Sequence, residues 1–397
     1  LIQWRLNRPK LKTLTSFHKF LVIFNQTITY CVLFGAMVLL VFSFFYSHYG
    51  TTVFNIWVSE KVFLYAAIVI CIFVATSFIL LCHFRKYKGL LKFSMLCMIC
   101  CMIAELLLTI RFSGNWGPII TPLNSTTQFS WYTKTKETSI ITDEATNINY
   151  GSYTLTKKHH VLIQSNKGKY KINNRTINLD LTKLKKFAFI TDVHSKRENV
   201  ALLNQLDVDL IVAGGDIVQD GQFANDYYIF FDRYPRWIPF VTARGNHEVF
   251  WNVTDTYPGV YRPNFFSKVG DVGFYIIDVM TSALPKSKQV TKEMVDKAIE
   301  FLEQNVDNDC KIRIIVSHMP ISTNVDLGDY YREQIYDFLD SNPQANFRAM
   351  LTGHTHNFVR DYRNGILFLQ GGSLSGKEAI MYTEITVDEL NSDLSFK

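Results

Sequence analysis

The sequence predicts an α-helical membrane region followed by an α/β domain, and three observations carry this prediction. Long apolar stretches with few charges fall within the first third of the 397 residues, and the excess of positive charge lies in the same third. From about residue 184, short runs rich in Val and Ile alternate with segments of helical periodicity. Apolar stretches of about 20 residues are long enough to cross a bilayer as helices. Alternating strand and helix patterns are typical of layered α/β domains.

The membrane region is predicted to occupy residues 1–111 and to contain three transmembrane helices. The first two candidates, residues 28–46 and 62–82, contain no charged residue and have the length that a bilayer requires. The third, residues 93–110, is shorter and contains Glu105, so it crosses only if that carboxyl group lies near an interface. Many polar residues precede the first stretch and no small-residue cleavage site follows it, which argues against a cleaved signal peptide.

Charge divides the chain at the same place. Of the 41 Lys/Arg and 35 Asp/Glu residues, 11 and 2 lie in residues 1–111, which leaves 30 basic and 33 acidic residues in the rest. Nucleic-acid binding requires a basic globular domain, whereas this one is slightly acidic, so no nucleic-acid partner is expected.

The loops between the apolar stretches predict the orientation in the lipid bilayer. The segment before the first stretch and the loop between the second and third stretches are basic, and basic loops face the cytoplasm. Three crossings then place everything after Arg111 on the non-cytoplasmic side. The sequence therefore predicts an integral, multi-pass membrane protein whose larger domain lies outside the cytoplasm.

Residues 112–183 are polar and rich in Thr, Asn and Lys, and we interpret them as a linker followed by a short β region. They contain an adjacent pair of histidines, His159 and His160. Adjacent side chains on a strand point to opposite faces. The pair is therefore expected at the surface rather than at a metal ion.

Five short apolar runs predict strands in the α/β domain, residues 184–397, and polar side chains follow each run. The runs are FAFIT (187–191), LIVA (210–213), PFVTA (239–243), IRIIV (312–316) and AML (349–351), and a helix is predicted over residues 291–305. The side chains that follow are, in order, Asp192 and His194; Asp216; Asn246 and His247; His318; and His354 and His356. Ligand sites in layered sheets collect at the carboxyl ends of strands. The sequence therefore predicts that these residues converge on a metal site, where the spacing of His354 and His356 on an extended segment would direct both rings to one side.

These motifs resemble those of the calcineurin-like metallophosphoesterases. Asp-x-His, Gly-Asp, Gly-Asn-His-Glu, a single His after a strand, and Gly-His-x-His occur in this order over about residues 185–385. The resemblance implies a four-layer α-β-β-α sandwich with two metal ions between the edges of two sheets. It implies that Asp192, His194, Asp216 and His356 bind one ion, that Asp216, Asn246, His318 and His354 bind the other, and that Asp216 bridges them.

Three further residues near these motifs receive other roles. His247 resembles the histidine that assists at the phosphate. If its side chain diverges from that of Asn246, it does not reach the same metals and suits a general acid for the leaving oxygen. Arg244 is a candidate phosphate contact, with an exposed structural arginine as the alternative. Glu248 is expected to support the site or to begin a helix rather than to bind metal.

The predicted function is hydrolysis of a phosphomonoester or phosphodiester at a membrane by two metal ions. The mixture of Asp, Asn and His ligands favours Mn, Fe or Zn over Mg or Ca. The substrate is expected to be a lipid headgroup or small molecule. The alternatives are a protein serine/threonine phosphatase and a catalytically silent membrane receptor or scaffold. The stretch GDIVQDG (215–221) lacks the Asp-Arg-Gly of the protein phosphatases, and all seven ligands are present, which argues against a silent protein.

Overall fold

The computed structural model describes residues 115–391, together with a few isolated residues nearer the N-terminus. The gaps in this range are residues 173–174, 219–223, 236–237, 250–262, 281–289, 323–326 and 376–381. The chain divides into two units, Leu1–Phe112 and Ser113–Lys397. Apart from Leu96 and Ile99, the three predicted transmembrane helices (28–46, 62–82 and 93–110) lie outside the described residues. Within the part of the chain that is described, no helix is both long enough and apolar enough to cross a membrane.

An antiparallel N-terminal sheet begins the second unit. Its strands are β1 (Trp116–Pro122), β2 (Thr127–Asp143), β3 (Asn149–Ile163), β4 (Lys167–Ile172) and β5 (Arg175–Asp180). They are arranged in the order β1-β2-β4-β5, and β3 pairs with the other edge of β2.

The N-terminal sheet occupies the segment that we interpreted from the sequence as a linker with a short β region. Alternate residues of β4 and β5, such as Tyr170 and Ile177, are buried in the same apolar cluster as the strands of the later sheets. The intervening positions are exposed and polar, and they give the segment its polar composition. From Trp116 onward, this part of the chain is therefore a layer of the folded unit rather than a linker.

The adjacent histidines of β3 point to opposite faces, as expected, but only His160 is exposed. His159 is completely buried, and its ring stacks on Trp131 with ring centroids 5.1 Å apart. Its Nε2 atom lies 2.9 Å from the hydroxyl oxygen of Thr133. The expectation of a surface position is therefore wrong for His159, because the apolar face of the sheet accepts the flat imidazole against an indole.

Two further sheets form the centre of the unit. The four-stranded sheet has the order β15 (Thr383–Thr386), β6 (Lys186–Ile190), β7 (Leu210–Ala213), β8 (Phe240–Thr242). The six-stranded sheet has the order β13 (Val359–Arg363), β14 (Ile366–Gln370), β12 (Phe347–Thr352), β11 (Ile312–Val316), β10 (Val272–Ile276), β9 (Phe265–Val269). Strands β6, β7, β8, β11 and β12 overlap the five predicted runs, so these strand predictions are confirmed.

Helices follow the strands of both central sheets. They are α1 (Arg197–Leu202), α2 (Ala224–Phe231), α3 (Asn246–Val249), α4 (Lys292–Asn305), α5 (Gly328–Ser341) and α6 (Val387–Asn391). The predicted helix is α4. The side chain of Thr291 caps its N-terminus by accepting a hydrogen bond from the Met294 N–H, and its apolar stripe, including Val295 and Leu302, is buried.

Alternating side chains of the strands place these elements in layers. Along β6, Phe187 and Phe189 lie in the core shared by the sheets, whereas Ile190 lies in a second core with residues of α1 and α2. In the six-stranded sheet, Tyr275 of β10 belongs to a third core, which contains the apolar stripes of α4 and α5. The two sheets therefore pack face to face and each carries helices on its outer face. The predicted mixed α/β fold is confirmed.

Candidate metal centre

The candidate site lies at the carboxyl ends of strands from both central sheets. Within each sheet, the strands that lead to the site are parallel, so their carboxyl ends lie along one edge. The structure brings together all seven predicted metal ligands at this edge. Their ligand atoms form two groups, and Asp216 has an oxygen within 4.8 Å of ligand atoms from both groups.

The outer half-site consists of Asp192, His194 and His356. The Nε2 atoms of the two histidines are 3.1 Å apart. Oδ1 of Asp192 lies 3.3 Å from Nε2 of His356 and 3.9 Å from Nε2 of His194. Asp192 is fully buried, but the side chain of His356 is 47% exposed, so solvent reaches one side of this half-site.

The inner half-site consists of Asn246, His318 and His354. Nδ1 of His354 is 3.1 Å from Oδ1 of Asn246 and 3.3 Å from Nε2 of His318. His318 is 1% exposed, and its Nδ1 atom lies 2.6 Å from the carbonyl oxygen of Gly214. Because a carbonyl oxygen only accepts hydrogen bonds, Nδ1 carries the proton and Nε2 remains directed at the site.

Asp216 lies between the two half-sites. Its Oδ2 atom is 3.3 Å from Nε2 of His318 and 3.9 Å from Nε2 of His247. The residue is 2% exposed. Burial raises the pKa of its carboxyl group, but the neighbouring His318 and His247 outweigh burial and hold the pKa well below its usual range. Asp216 is therefore a carboxylate, the form that binds metal.

The histidines of the site differ from one another in their affinity for protons. Burial lowers the pKa of His194 to about 4. Burial also acts to lower the pKa of His318, but the charge and hydrogen bond of Asp216 raise it to about 10. The pKa of His356 is raised by its hydrogen bond to Asp192. In the absence of a metal ion, protons thus balance part of the carboxylate charge.

The backbone at the site is held in an unusual conformation. Five of the seven predicted ligands have positive φ angles between 48° and 77°: Asp192, His194, Asp216, His354 and His356. Non-glycine residues rarely adopt such angles, and those that do cluster at functional sites. The turn containing His354 and His356 is consequently not extended, and its two rings enter different half-sites. The expectation that their spacing directs both rings to one side is wrong for this reason.

The arrangement of ligand atoms fits metal ions. Nδ1 of His194 is buried and has no hydrogen-bond partner in the described part of the chain. Among the described residues, three sets of side chains have ligand atoms within 4.8 Å of one another: Asp192, His194 and His356; His194, Asp216 and His247; and Asp192, Asp216 and His318. Carboxylate and imidazole groups that face one another in this way suit transition-metal cations.

His247 lies closer to the metal ligands than the sequence indicates. Its ring meets that of His194 edge to face, with centroids 4.5 Å apart. Asn246 and His247 belong to the helical turn α3. Successive side chains on a helix are separated by about 100° rather than pointing to opposite faces. Both residues therefore reach the site, and the role of His247 as a general acid rather than a ligand stays a prediction.

Arg244 forms an ion pair close to the site. Its Nε atom donates a hydrogen bond to Oδ2 of Asp278 at 2.6 Å, and its Nη2 atom contacts the same oxygen. Both side chains are largely buried. This pairing accounts for the position of Arg244 without a phosphate, and the predicted contact with substrate stays a prediction.

Two supporting residues were not predicted from the sequence. Nε2 of Gln370 donates to the carbonyl oxygen of Asn357 at 2.8 Å and contacts Oγ1 of Thr355, between His354 and His356. Oγ of Ser373 donates to the carbonyl oxygen of Asp192 at 2.8 Å. Both lie at or just after the end of β14. The stretch FLQGGS (368–373) is a sixth strand end with polar residues, and that signal was available in the sequence.

Part of this chain is similar to known proteins. Residues 185–358 match the model of the calcineurin-like phosphoesterase family. This stretch contains all seven predicted ligands. The structure is similar to that of a dimetal phosphatase from Danio rerio, with 13% identity over 51% of this chain and 92% of that chain and a TM-score of 0.40. It is also similar to purple acid phosphatase PPD1 from yellow lupin (Lupinus luteus) seeds, with 12% identity over 65% of this chain and 64% of that chain and a TM-score of 0.45. No curated protein matches the sequence.

Proposed function

We propose that the Ser113–Lys397 unit hydrolyses phosphoesters with two divalent metal ions. The observation that carries this proposal is that one buried carboxylate, Asp216, lies close to members of two ligand groups. The match of residues 185–358 to the calcineurin-like phosphoesterase family supports the same chemistry. The outer and inner half-sites would each hold one ion, and Asp216 would bind both.

Each group in the site has a distinct task in this reaction. Two ions held by these residues would supply positive charge that offsets the charge of the phosphate and activates a water molecule. Asp192 and Asp216 supply the carboxylates, and the buried N–H of His318 holds its ring in the orientation that a metal requires. His247, next to Asp216, donates a proton to the leaving oxygen.

Metal dependence tests the proposal directly. We expect the full-length protein to hydrolyse p-nitrophenyl mono- or diesters, to lose activity on chelation, and to regain it better with Mn²⁺ than with Mg²⁺ or Ca²⁺, because four imidazoles are among the ligands. Elemental analysis should find close to two transition-metal ions per chain. Equal rescue by Mg²⁺ without a bound transition metal would contradict the site, and bound metal without hydrolysis of any ester would favour the silent receptor.

The proposed substrate is a lipid headgroup or a small molecule rather than a phosphoprotein. The stretch GDIVQDG has no arginine after its second acid, unlike the protein phosphatases. Gln219 and Asp220 of this stretch lie outside the described residues. We expect higher kcat/KM on small phosphoesters or glycerophospholipids than on phosphopeptides, and the opposite ranking would favour the protein phosphatase.

We further propose that residues 1–111 anchor the unit to a membrane and that the unit lies on its non-cytoplasmic side. The uncharged stretches 28–46 and 62–82 and the basic segments beside them support this placement. In sealed vesicles whose cytoplasmic face is outward, residues 112–397 should resist protease until detergent is added. Digestion of that part in intact vesicles would reverse the placement and leave the proposed chemistry unaffected.

A further inference from the structure

We propose that Glu248 is a positioning residue that holds the bridging ligand Asp216 and the terminal ligand Asn246 at a fixed separation. The inference rests on the proposed dinuclear function and concerns a side chain that does not bind the metals. Glu248 belongs to none of the three ligand sets found among the described residues. Its carboxylate is 2% exposed and lies between the loops that follow β7 and β8.

Both carboxylate oxygens of Glu248 are engaged by backbone N–H groups of these two loops. Oε2 accepts hydrogen bonds from the N–H of Asp216 at 2.8 Å and from the N–H of Gly245 at 2.7 Å. Oε1 accepts one from the N–H of Val218 at 3.2 Å. Beginning a helix would account for the bond to Gly245, but not for those to residues about thirty positions upstream.

Each of the two loops donates a backbone hydrogen bond to a side chain of the other loop. Asp216 donates its own N–H to Glu248, and its Oδ1 atom accepts a hydrogen bond from the N–H of His247 at 2.9 Å. The backbone and the side chain of Asp216 are thus both tied to the turn that contains Asn246. A displacement of Glu248 would move the bridging carboxylate relative to that ligand.

The loops approach each other so closely that only glycine fits at position 245. A Cβ atom there would collide with Oδ1 of Asp216 and lie 2.6 Å from its backbone nitrogen. Because residue 245 has no side chain that could set the distance between the two loops, the hydrogen bonds of Glu248 set that distance. Three backbone N–H groups from the two loops donate to this one carboxyl group, so its position is tied to both loops.

Graded substitutions of Glu248 test the inference. Glu248→Gln keeps the length of the side chain and one acceptor oxygen but directs an NH₂ group at a backbone N–H, whereas Glu248→Ala removes all three hydrogen bonds. We expect the weaker of the two Mn²⁺ affinities to fall about 10- to 100-fold in Glu248→Ala and less in Glu248→Gln, the range typical of losing a partner of a metal ligand. The exchange coupling seen by EPR of the Mn²⁺-loaded protein should change in both.

Two control variants separate positioning from loss of stability. Glu384→Gln also removes a carboxylate, but from a partly exposed ion pair with Lys186. Leu302→Ala opens a cavity in the buried stripe of α4 and lowers the Tm without touching the site. Both controls should bind two Mn²⁺ ions with the affinity and EPR spectrum of the wild type. If Glu248→Ala does not fold, the Mn²⁺ affinity and EPR spectrum of Glu248→Gln, compared with those of the wild type, test the inference.

The outcomes distinguish this inference from the proposed function. Wild-type Mn²⁺ affinity and an unchanged EPR spectrum in Glu248→Gln would overturn the positioning role while leaving the dinuclear site intact. A change in Leu302→Ala equal to that in Glu248→Gln at a matched Tm would overturn it as well. If the wild-type protein binds no Mn²⁺, the proposed function fails, and the positioning role fails with it.

Discussion

The two half-sites have similar ligands but different surroundings. In the inner half-site, His318 and Asn246 are buried, and the His318 ring is fixed by a hydrogen bond to a backbone carbonyl. In the outer half-site, Asp192 is buried, but nearly half of the His356 side chain is exposed, and Nδ1 of His194 has no partner among the described residues. Two of the three inner ligands are buried and His354 is partly buried, whereas the outer group is open to solvent at His356.

This difference indicates a division of tasks between two bound ions. An enclosed site with fixed ligands releases its metal slowly, because its ligands are already oriented and water has little access. An open site offers a coordination position to water or substrate. We therefore expect the inner ion to be the more tightly bound and the outer ion to exchange faster. The following predictions test how far the half-sites act separately.

Removing the shared ligand should have the largest effect, because Asp216 belongs to both half-sites. We expect Asp216→Asn to lower kcat/KM about 1000-fold, which corresponds to about 4 kcal/mol of transition-state stabilisation. Metal content should fall in both half-sites. Steady-state kinetics and elemental analysis measure these effects. Activity within tenfold of the wild type would show that the half-sites do not depend on a common bridge.

The next largest effect should come from His247, which lies beside both Asp216 and His194. If it is the general acid, His247→Ala should lower kcat about 100-fold. The metal content should remain near that of the wild type, and the loss should be smaller for substrates with a better leaving group. A variant that loses one metal ion would identify His247 as a ligand of the set with His194 and Asp216.

Truncating one histidine in each half-site compares them directly. His318→Ala and His356→Ala remove the same group, and each should weaken one Mn²⁺ site. We expect His356→Ala to regain activity when the Mn²⁺ concentration is 10- to 100-fold higher than the wild type requires, because the other outer ligands remain in place. The same addition should not rescue His318→Ala, in which the buried site loses an oriented ligand. Equal rescue of both variants would abolish the distinction between an inner and an outer half-site.

The sequence predicted the site better than it predicted the layers around it. All seven ligands follow strands, and a strand end is marked by a local pattern of apolar and then polar residues, as at Asp192 and His318. The N-terminal sheet was not predicted as a layer because its strands alternate buried and exposed residues. The exposed residues give the segment a polar composition, which is typical of a linker. Its packing depends on a face that it shares with distant strands.

Residue spacing in the sequence also did not predict the direction of individual side chains. The family resemblance assigned His354 and His356 to different ions, but their spacing alone did not, because it does not encode the positive φ angles of the two residues. The same limit applies to Glu248, whose hydrogen bonds join loops about thirty residues apart. Spacing rules assume regular strands or helices, and ligand loops depart from both.

The smallest expected effect is the dependence on pH of Mn²⁺ binding at the inner half-site. Asp216 raises the pKa of His318 to about 10, so in the metal-free protein the inner half-site holds a proton that a metal ion must displace. Burial lowers the pKa of His194 to about 4, so that ring is neutral at pH 7 and releases none. In His356→Ala, in which the outer half-site is weakened, we expect the Mn²⁺ affinity of the inner half-site to rise up to about tenfold per pH unit between about pH 7 and 9.

The sign of this effect follows from linkage. The pKa of His318 is raised above its unfolded value of about 6.5, so its contribution to the stability of the metal-free protein is complete below that pH and is lost as the pH rises through about 10. Raising the pH therefore weakens the metal-free fold while it strengthens metal binding. Calorimetric titrations of His356→Ala with Mn²⁺, in buffers of different ionisation enthalpy, count the protons released, and thermal melts of the metal-free protein measure its stability. An affinity that is independent of pH, with no proton release, would show that His318 is already neutral in the metal-free protein.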